Sequence, residues 1–550
     1  MKEIFSRINK KEWIFALGIA IILILVTSLP TLYGYLVKPA DKFFPALHSQ
    51  GPGDYNVYYS YIEQVKQGHL LFSDLYTSES HQPFLFNPFW LIIGLFGRFF
   101  HLSNILTFQL ARIIFIFPFV FALYLITSYF FNEKRLRRYA FLFSIFASGF
   151  GGYSIAIVKK IMGTGLNLHY YPMDLWVSEA NNFLTIFHSP HFMAATTLII
   201  FVLLFLFLSF TKNNWRYTFW SGFLGLSLIF FHPFHLPNIF LVPLVYIVVV
   251  SLREKKIKWS YVFKLVAFVL LIMPAVIYQF MLVIYNPIAA GRADQNICLI
   301  VDWGIFLISY GFLLPLAFLG LFSRPKEEKY LFIFIWLFVQ LALIFSPLTF
   351  QRRLTQGWQI PLTFFSIWGL VMIFRKIGKK WPNINFFANK IYIGVILAFC
   401  FCFSQLYVLA ENFSLYTDKI YREWPHYVYL DISYKQGFDW LKNNLTANDV
   451  ILSSTTTGSF IPAFSGLRIY IGHNMETLKW SQKVYEVNQF FSLDLDDSQR
   501  REFLEKKNIT YIYYSEFEKN LGDFRPQGKN YLESVFQKGE LIIYRVISPF

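Results

Sequence analysis

Charged residues and cysteine are both scarce in this sequence. Only 15% of the 550 residues are charged, whereas soluble globular domains have about 25%. This shortage excludes an ordinary soluble multi-domain enzyme. The three cysteines, Cys298, Cys400 and Cys402, are too few for a disulfide framework, and no His or Asp near the last two completes a metal cluster. We therefore interpret the cysteines as small apolar side chains.

Apolar and basic residues are abundant instead. Hydrophobic residues make up 55% of the chain, aromatic residues 21%, and the net charge is +16. Residues 1–410 carry 33 basic and 15 acidic side chains, and residues 411–550 carry 16 and 18. This distribution is typical of a polytopic membrane protein with a tail of ordinary composition, so we interpret the basic excess as a topology signal rather than nucleic-acid binding.

Eleven apolar runs are long enough to cross about 30 Å of hydrocarbon. The first has a basic start but is too long for the apolar core of a signal peptide and has no A-x-A cleavage site, so we expect it to remain as an anchor. The runs lie near residues 12–36, 105–131, 139–158, 191–211, 216–231, 235–252, 260–284, 302–322, 330–346, 355–374 and 391–410.

The apolar segment 84–100 decides the sidedness of the chain. If it does not cross the membrane, six loops share one side and hold 22 of the 33 basic residues, which is the pattern of cytoplasmic loops. These loops are 1–11, 132–138, 212–216, 253–258, 323–329 and 375–390. We therefore predict a re-entrant or juxtamembrane helix at 84–100, a cytoplasmic N-terminus and an exoplasmic first loop at 37–104.

The tail after residue 415 alternates short helical and strand patterns. Its hydrophobic periods predict helices near 476–491 and 498–507 and strands such as ITYIYYS and ELIIYRV. We expect a mainly α fold class: a polytopic helical domain at 1–410 and a small exoplasmic α/β domain at 415–550.

Acids, histidines and arginines gather in the loops assigned to the exoplasmic side, so any chemistry should face outward. In the first loop, Tyr58, Tyr61, Ile62 and Val65 have the spacing of an amphipathic helix lying along the membrane surface. Asp54 stands at the start of this helix. It is either an N-cap or a carboxylate held at the interface for function.

The whole architecture resembles the GT-C superfamily of glycosyltransferases, which use polyprenyl-phosphate sugars. Its most specific local parts are GDYNVYYSYIEQVKQG, DLWVSEANNFLTIFHSPHF, FQRRLTQGWQIP and YIGHNMETLKWSQK. The tail lacks the WWDYG motif of oligosaccharyltransferases, and Tyr55 after Asp54 departs from the Asp-Glu pair of protein O-mannosyltransferases. The resemblance thus implies a less specialised enzyme, expected in a bacterial inner or plasma membrane.

That resemblance implies inverting transfer from a polyprenyl-phosphate-linked sugar to a glycan, lipid or protein acceptor, with no nucleic acid involved. Such transfer needs a base for the acceptor hydroxyl and guanidinium groups for the phosphate. We therefore assign catalytic roles to Asp54 and Glu179. Substrate-binding roles are assigned to Arg352, Arg353, Asp174, Arg292, His473 and Glu476.

Each assignment has a structural alternative. The arginines could be interfacial anchors, and the acids and the His473 turn could be ordinary loop residues. No cofactor is assigned. A divalent metal stays open, with His188 and His191 as candidates that could equally be loop hydrogen-bonding groups.

Two other function classes stay open at this stage. A transporter would place charges in mid-membrane and often shows inverted repeats. Arg112 and Lys264 are the only mid-span basic residues, both lie near span ends, and no repeat is visible. A non-catalytic partner in polysaccharide or glycolipid export would need no exoplasmic cluster of acids and arginines. Release of prenyl phosphate in a transfer assay would separate an enzyme from both.

Overall fold

The computed structural model describes residues 5–162, 168–323, 327–380, 390–417 and 428–547. Parts of three predicted cytoplasmic loops, residues 1–4, 324–326 and 381–389, lie outside this range. The chain forms two compact units. The helical unit comprises Met1–Pro30, Arg112–Gln279 and Ile297–Asn412, and the mixed unit comprises Thr31–Ala111, Phe280–Asn296 and Phe413–Phe550.

The protein is mainly helical, as predicted. Numbered along the chain, the described α-helices are α1 (Lys10–Leu36), α2 (Pro52–Lys66), α3 (Pro88–Phe99), α4 (Asn104–Phe130), α5 (Lys134–Phe146), α6 (Gly151–Met162), α7 (Asn182–His188), α8 (Pro190–Thr211), α9 (Trp215–Phe231), α10 (Leu236–Arg253), α11 (Trp259–Tyr285), α12 (Pro287–Gln295), α13 (Trp303–Tyr310), α14 (Leu313–Ser323), α15 (Glu328–Ile344), α16 (Gln359–Lys380), α17 (Lys390–Ser414), α18 (Ile432–Asn444), α19 (Thr455–Ser465), α20 (Trp480–Phe491), α21 (Asp497–Lys506) and α22 (Glu516–Lys519).

Several of these helices are long and apolar enough to cross a membrane. Within the described residues, five qualify: α1, α4, α8, the stretch Pro233–Arg253 that contains α10, and α11. Helices α13 and α14 would add a sixth if they form one span, bent by 72°. Helices α9 and α15 coincide with predicted spans but have only 17 residues each. The chain is thus an integral membrane protein with several apolar helices.

The predicted single span at 139–158 is wrong, because the helix is interrupted between α5 and α6. The backbone N–H groups of Gly149 and Gly151 each donate to Asp174 Oδ2 at 3.1 Å, and Phe150 N donates to Ile308 O at 2.7 Å. These bonds occupy amides that a continuous helix would use internally. A Cβ on Gly149 would lie 2.3 Å from the Ser309 carbonyl, so the close approach also requires glycine.

Contacts inside the helical unit bring predicted cytoplasmic segments together. Arg137 Nη1 lies 2.8 Å from Glu12 Oε1 and donates to Arg7 O at 3.0 Å, which joins the start of α1 to the first turn of α5. Tyr330 at the start of α15 donates to Phe130 O at 2.9 Å. This adjacency supports the prediction that the loops 1–11, 132–138 and 323–329 share one side. The compartment itself stays a prediction.

Segment 84–100 forms the short helix α3 of the mixed unit. Its 12 residues extend about 18 Å, less than the roughly 30 Å of hydrocarbon. Helix α3 packs on α2 where Gly94 meets Val65, and a Cβ on Gly94 would lie 2.4 Å from the Val65 Cβ. The length supports the prediction that this segment does not cross.

The tail confirms the predicted small sheet. Two short strands of the described chain, β1 (Lys42–Phe43) and β2 (Leu430–Asp431), pair with each other. The tail sheet consists of five strands, β3 (Val450–Leu452), β4 (Arg468–Ile469), β5 (Tyr511–Tyr514), β6 (Leu532–Lys538) and β7 (Leu541–Val546). The five-stranded sheet has the order β4-β3-β5-β7-β6, with β3 parallel to both neighbours and β7 antiparallel to both of its neighbours. The predicted tail helices correspond to α20 and α21.

The first loop and the tail fold together within the mixed unit. Helix α2 packs against α19 of the tail, and Lys442 Nζ lies 2.5 Å from Glu63 Oε1. Lys483 Nζ lies 2.9 Å from Glu79 Oε2. Helix α2 is confirmed, but the expected one-sided surface helix is wrong, because polar residues such as Asn56 are buried along with its aromatic residues. Its polar face is therefore covered by protein.

Candidate active site

The first turn of α2 carries Asp54. Gly51 is the N-cap, with a left-handed φ of 59°, and Pro52 begins the helix. Asp54 is the third helical residue, so the alternative that it is the N-cap is wrong. Its side chain is 46% exposed, and an acid in the first turn interacts favourably with the helix dipole.

Asp54 is paired with His473, which lies in the turn before α20. His473 Nε2 is 3.1 Å from Asp54 Oδ1. A Cβ on Gly53 would lie 2.9 Å from His473 Cδ2, so glycine at this position allows the imidazole to rest against the helix start. Burial disfavours the protonated ring, but the hydrogen bond and charge of Asp54 outweigh burial and raise the pKa of His473. The nearby carboxylate therefore favours the protonated form of the imidazole.

A second cluster surrounds the partly buried guanidinium of Arg292, in α12. Its Nε lies 3.6 Å from Asp74 Oδ2, it forms an ion pair with Glu476, and its Nη2 donates to the Tyr61 hydroxyl at 3.4 Å. Burial raises the pKa of Asp74 to about 7, against the opposing charge of Arg292. Glu476 N donates to His473 O at 3.2 Å. One tail turn therefore holds both the Asp54 and the Arg292 contacts.

A cavity of about 300 Å³ opens beside the Asp54–His473 pair. It is built by the start of α2, the start of α19 and the turn that leads into α20. Ser454 caps α19 by accepting from Thr457 N. The next two residues, Thr455 and Thr456, line the cavity. The lining residues are Leu47, Gly51, Pro52, Gly53, Asp54, Asn56, Thr455, Thr456, Ser459, Phe460, Gly472, His473, Asn474 and Trp480.

The helical unit contains the other predicted arginines. Arg353 Nη1 lies 3.8 Å from Glu179 Oε1, and its guanidinium lies over the ring of Phe234 at 4.6 Å. The Arg352 guanidinium lies over Trp176 at 4.6 Å. Its buried Nε has no hydrogen-bond partner among the described residues. The pair thus combines stacked arginines with a nearby carboxylate.

Several buried histidines lie in the same unit. The rings of His232 and His235 stack at 4.8 Å, and His235 Nε2 is 2.8 Å from Gln356 Oε1. His191 Nδ1 is 2.7 Å from Ser189 Oγ, and His188 is also buried. Within the described part of the chain, no group of three or more His, Cys, Asp or Glu side chains is arranged to hold a metal ion.

The structure brings some of the predicted residues together and separates others. It pairs Asp54 with His473, Arg292 with Glu476, and Arg353 with Glu179. Asp174 is buried, and its carboxylate accepts from the backbone at the α5–α6 break and from the Ser404 hydroxyl at 2.6 Å. Its substrate-binding assignment, which no observation tests, stays a prediction.

Sequence reasoning missed Asp74 and most of the cavity wall. Asn56 and Trp480 lie inside GDYNVYYSYIEQVKQG and YIGHNMETLKWSQK, two of the segments that carry the family resemblance. Their position in these segments was the signal that could have marked them as site residues. Ser459 and Thr456 follow no pattern that marks them as site residues.

No protein-family model matches the chain, and no curated protein sequence matches it. Several solved structures are similar to it. The oligosaccharyltransferase of Archaeoglobus fulgidus, tethered to an acceptor peptide with the NVT sequon, is similar with a TM-score of 0.50 and 12% identity, over 92% of this chain and 69% of that one.

Two further structures have lower TM-scores. ArnT from Cupriavidus metallidurans, bound to undecaprenyl phosphate, gives 0.49 at 12% identity over 98% of both chains. The mycobacterial arabinofuranosyltransferase AftD gives 0.46 at 13% identity over 98% of this chain and 40% of that one. The expected architecture is confirmed at the level of the fold, which is similar to that of the archaeal oligosaccharyltransferase.

Proposed function

We propose that the protein is an inverting glycosyltransferase that moves a sugar from a polyprenyl-phosphate-linked donor to an acceptor hydroxyl. The observation that carries this proposal is the Asp54 carboxylate, which lies 3.1 Å from His473 Nε2 and lines a cavity of about 300 Å³. The fold, which is similar to that of an oligosaccharyltransferase, supports it. A carboxylate on a cavity wall can act as a general base where it reaches the hydroxyl of a bound acceptor.

The reaction is one displacement. The acceptor hydroxyl gives its proton to Asp54 as its oxygen forms a bond to the anomeric carbon. The bond from that carbon to the phosphate oxygen breaks, and its electron pair leaves with the prenyl phosphate. Phosphate is a good leaving group, so no strong general acid is needed, and attack from the opposite face inverts the anomeric centre.

Among the acids of the mixed unit, Asp54 is the best placed to act as base. Glu63 and Asp74 are buried, and each is engaged by a cation, Lys442 or Arg292. Asp54 keeps 46% of its side chain exposed and lines the cavity. His473 is a positioning residue in this scheme, because its imidazole fixes the direction of the carboxylate.

Arg352 and Arg353 are the proposed donors to the phosphate. Stacking on Trp176 and Phe234 orients both guanidinium planes, and the buried Arg352 Nε has a donor hydrogen to offer. Planar guanidinium groups bind phosphate oxygens in a bidentate way and so stabilise charge that develops on the leaving group. Glu179 is the proposed partner that orients Arg353.

The site is proposed to face the exoplasm of a bacterial inner or plasma membrane, with the N-terminus in the cytoplasm. The basic loops near residues 1–11 and 132–138 support this orientation, because they meet at one end of the helical unit and carry the retention signal of cytoplasmic loops.

The test is a transfer assay on the full chain in lipid nanodiscs. Synthetic short-chain prenyl-phosphate sugars are supplied with a panel of glycan, lipid and peptide acceptors, and released prenyl phosphate is measured by mass spectrometry. We expect acceptor-dependent release and a product of inverted configuration by NMR. A transporter or an export partner would release no prenyl phosphate from any donor, and that result would reject the proposal.

A further inference from the structure

The wall of the cavity beside Asp54 combines small polar groups with a larger apolar area. Thr455, Thr456 and Ser459 contribute hydroxyls, and Asn56 and Asn474 contribute amides. At about 300 Å³ it lies at the lower end of the range of about 300–1,000 Å³ for small-molecule sites. The wall therefore suits a compact ligand with many hydrogen-bonding groups.

Two buried atoms on this wall lack partners. Asn56 is 1% exposed. Its Nδ2 donates to Ser459 Oγ at 3.1 Å, whereas its Oδ1 has no partner among the described residues. Trp480 Nε1 is likewise buried without one. A buried acceptor and a buried donor without partners each cost free energy unless a ligand satisfies them.

The same wall disfavours other ligand classes. A hydrocarbon chain would leave Asn56 Oδ1 and Trp480 Nε1 unsatisfied. An anionic ligand would meet the Asp54 carboxylate, and the histidine on the wall, His473, already contacts that carboxylate. A neutral polyol supplies a donor and an acceptor from each hydroxyl, and its apolar ring face packs on an indole such as that of Trp480.

We propose that this cavity binds a saccharide unit of the acceptor, with Asn56 and Trp480 hydrogen-bonding its hydroxyls and the attacking hydroxyl directed to Asp54. This inference rests on the proposed function, because Asp54 is assigned there as the base. It narrows the acceptor from a glycan, lipid or protein hydroxyl to one on a sugar ring.

The test measures binding apart from transfer. The full chain in nanodiscs is examined by saturation-transfer-difference NMR with the methyl glycosides of mannose, galactose and N-acetylglucosamine, and with N-acetylserinamide as a peptide mimic. Trp480→Phe removes only the N–H donor, and Asn56→Leu removes the amide. Trp440→Phe is the matched control, since Trp440 packs on Tyr511 and Phe536, away from the cavity wall.

We expect at least one glycoside to bind, with affinity reduced about three- to tenfold by Trp480→Phe and about tenfold or more by Asn56→Leu. Trp440→Phe should bind as the wild type does. Glycoside binding that neither cavity variant weakens, or no glycoside binding at all, overturns the inference. Binding of N-acetylserinamide that depends on Trp480 overturns it in favour of a peptide acceptor.

Transfer is assayed in parallel, so that the two proposals fail separately. Glycoside binding that depends on Asn56 and Trp480, together with no prenyl phosphate release from any donor, would support the saccharide site and reject the glycosyltransferase. Release that proceeds without such binding would reject only the saccharide site.

Discussion

Replacement of Asp54 by Asn separates a catalytic carboxylate from a structural one. Asparagine has the same shape, and its Oδ1 can still accept from His473 Nε2, which lies 3.1 Å from the carboxylate oxygen in the wild type. Only the negative charge and the basicity are lost. Because Asp54 is not the N-cap of α2, the substitution removes no helix cap.

The two readings predict effects of different size. Loss of a general base lowers the rate about 10²- to 10⁴-fold, which corresponds to roughly 3–5 kcal/mol in the activation barrier. The cost to folding is smaller, because a first-turn acid contributes about 0.3–1 kcal/mol through the helix dipole. We therefore expect turnover to fall by at least about 100-fold, with a thermal midpoint close to that of the wild type.

The assay compares release of prenyl phosphate at saturating donor with the thermal midpoint in the same nanodiscs. Asp439→Asn is the matched control. Asp439 is 48% exposed, lies in α18 of the same unit and is ion-paired with Lys435, so it undergoes the same chemical change away from the cavity. Turnover of Asp54→Asn within a few-fold of the control would refute the assignment of Asp54 as base.

Three further predictions concern the phosphate site, pH and topology. Replacement of both Arg352 and Arg353 by Lys should lower the donor affinity or the transfer rate about 30- to 150-fold, because Lys lacks the planar guanidinium group that binds phosphate in a bidentate way. If donor titrations of the variant match those of the wild type, these arginines only anchor the helices at the membrane interface. Burial raises the pKa of Asp74 to about 7, above its unfolded value of about 4, so the folded chain keeps a proton that the unfolded chain loses, and stability falls as the pH rises from 4 to 7. Asp74→Asn should remove this pH-dependent contribution to stability, which is about 1 kcal/mol per pH unit. The thermal midpoint of the variant should therefore rise relative to that of the wild type between pH 5 and 8. If the two midpoints instead change with pH in the same way, the pKa of Asp74 is not raised. A cysteine placed in 132–138 should react with an impermeant maleimide only after sealed cells are opened, and labelling from outside would overturn the topology.

The sequence predicted the helices well, because long apolar runs have few stable alternatives in a membrane. It failed at 139–158, where Asp174, far along the chain, takes the amides of Gly149 and Gly151. Local hydrophobic periodicity does not indicate a hydrogen bond between residues so far apart in sequence. The same limit explains why α2 was expected on a surface, since the tail that covers its polar side begins more than 300 residues later.

The candidate site was predictable in part. Asp54 and His473 stood out because ionisable residues in loops beside membrane spans are informative, and the structure pairs them. Asn56 and Trp480 are ordinary residues in sequence. Their importance comes from buried atoms that have no hydrogen-bond partner among the described residues, a property that exists only in three dimensions.

The charged contacts between the first loop and the tail have a consequence for dissection of the chain. Three acids on the loop side, Asp54, Glu63 and Glu79, are each matched by a base on the tail side, and β1 hydrogen-bonds to β2. A polypeptide ending before residue 428 would leave Glu63, which is buried, beside an empty space where Lys442 belongs. A tail expressed alone would expose the surface of α19 that α2 covers. We therefore expect neither half to be transplantable, and chimaeras with proteins of the same fold should exchange the first loop and the tail together.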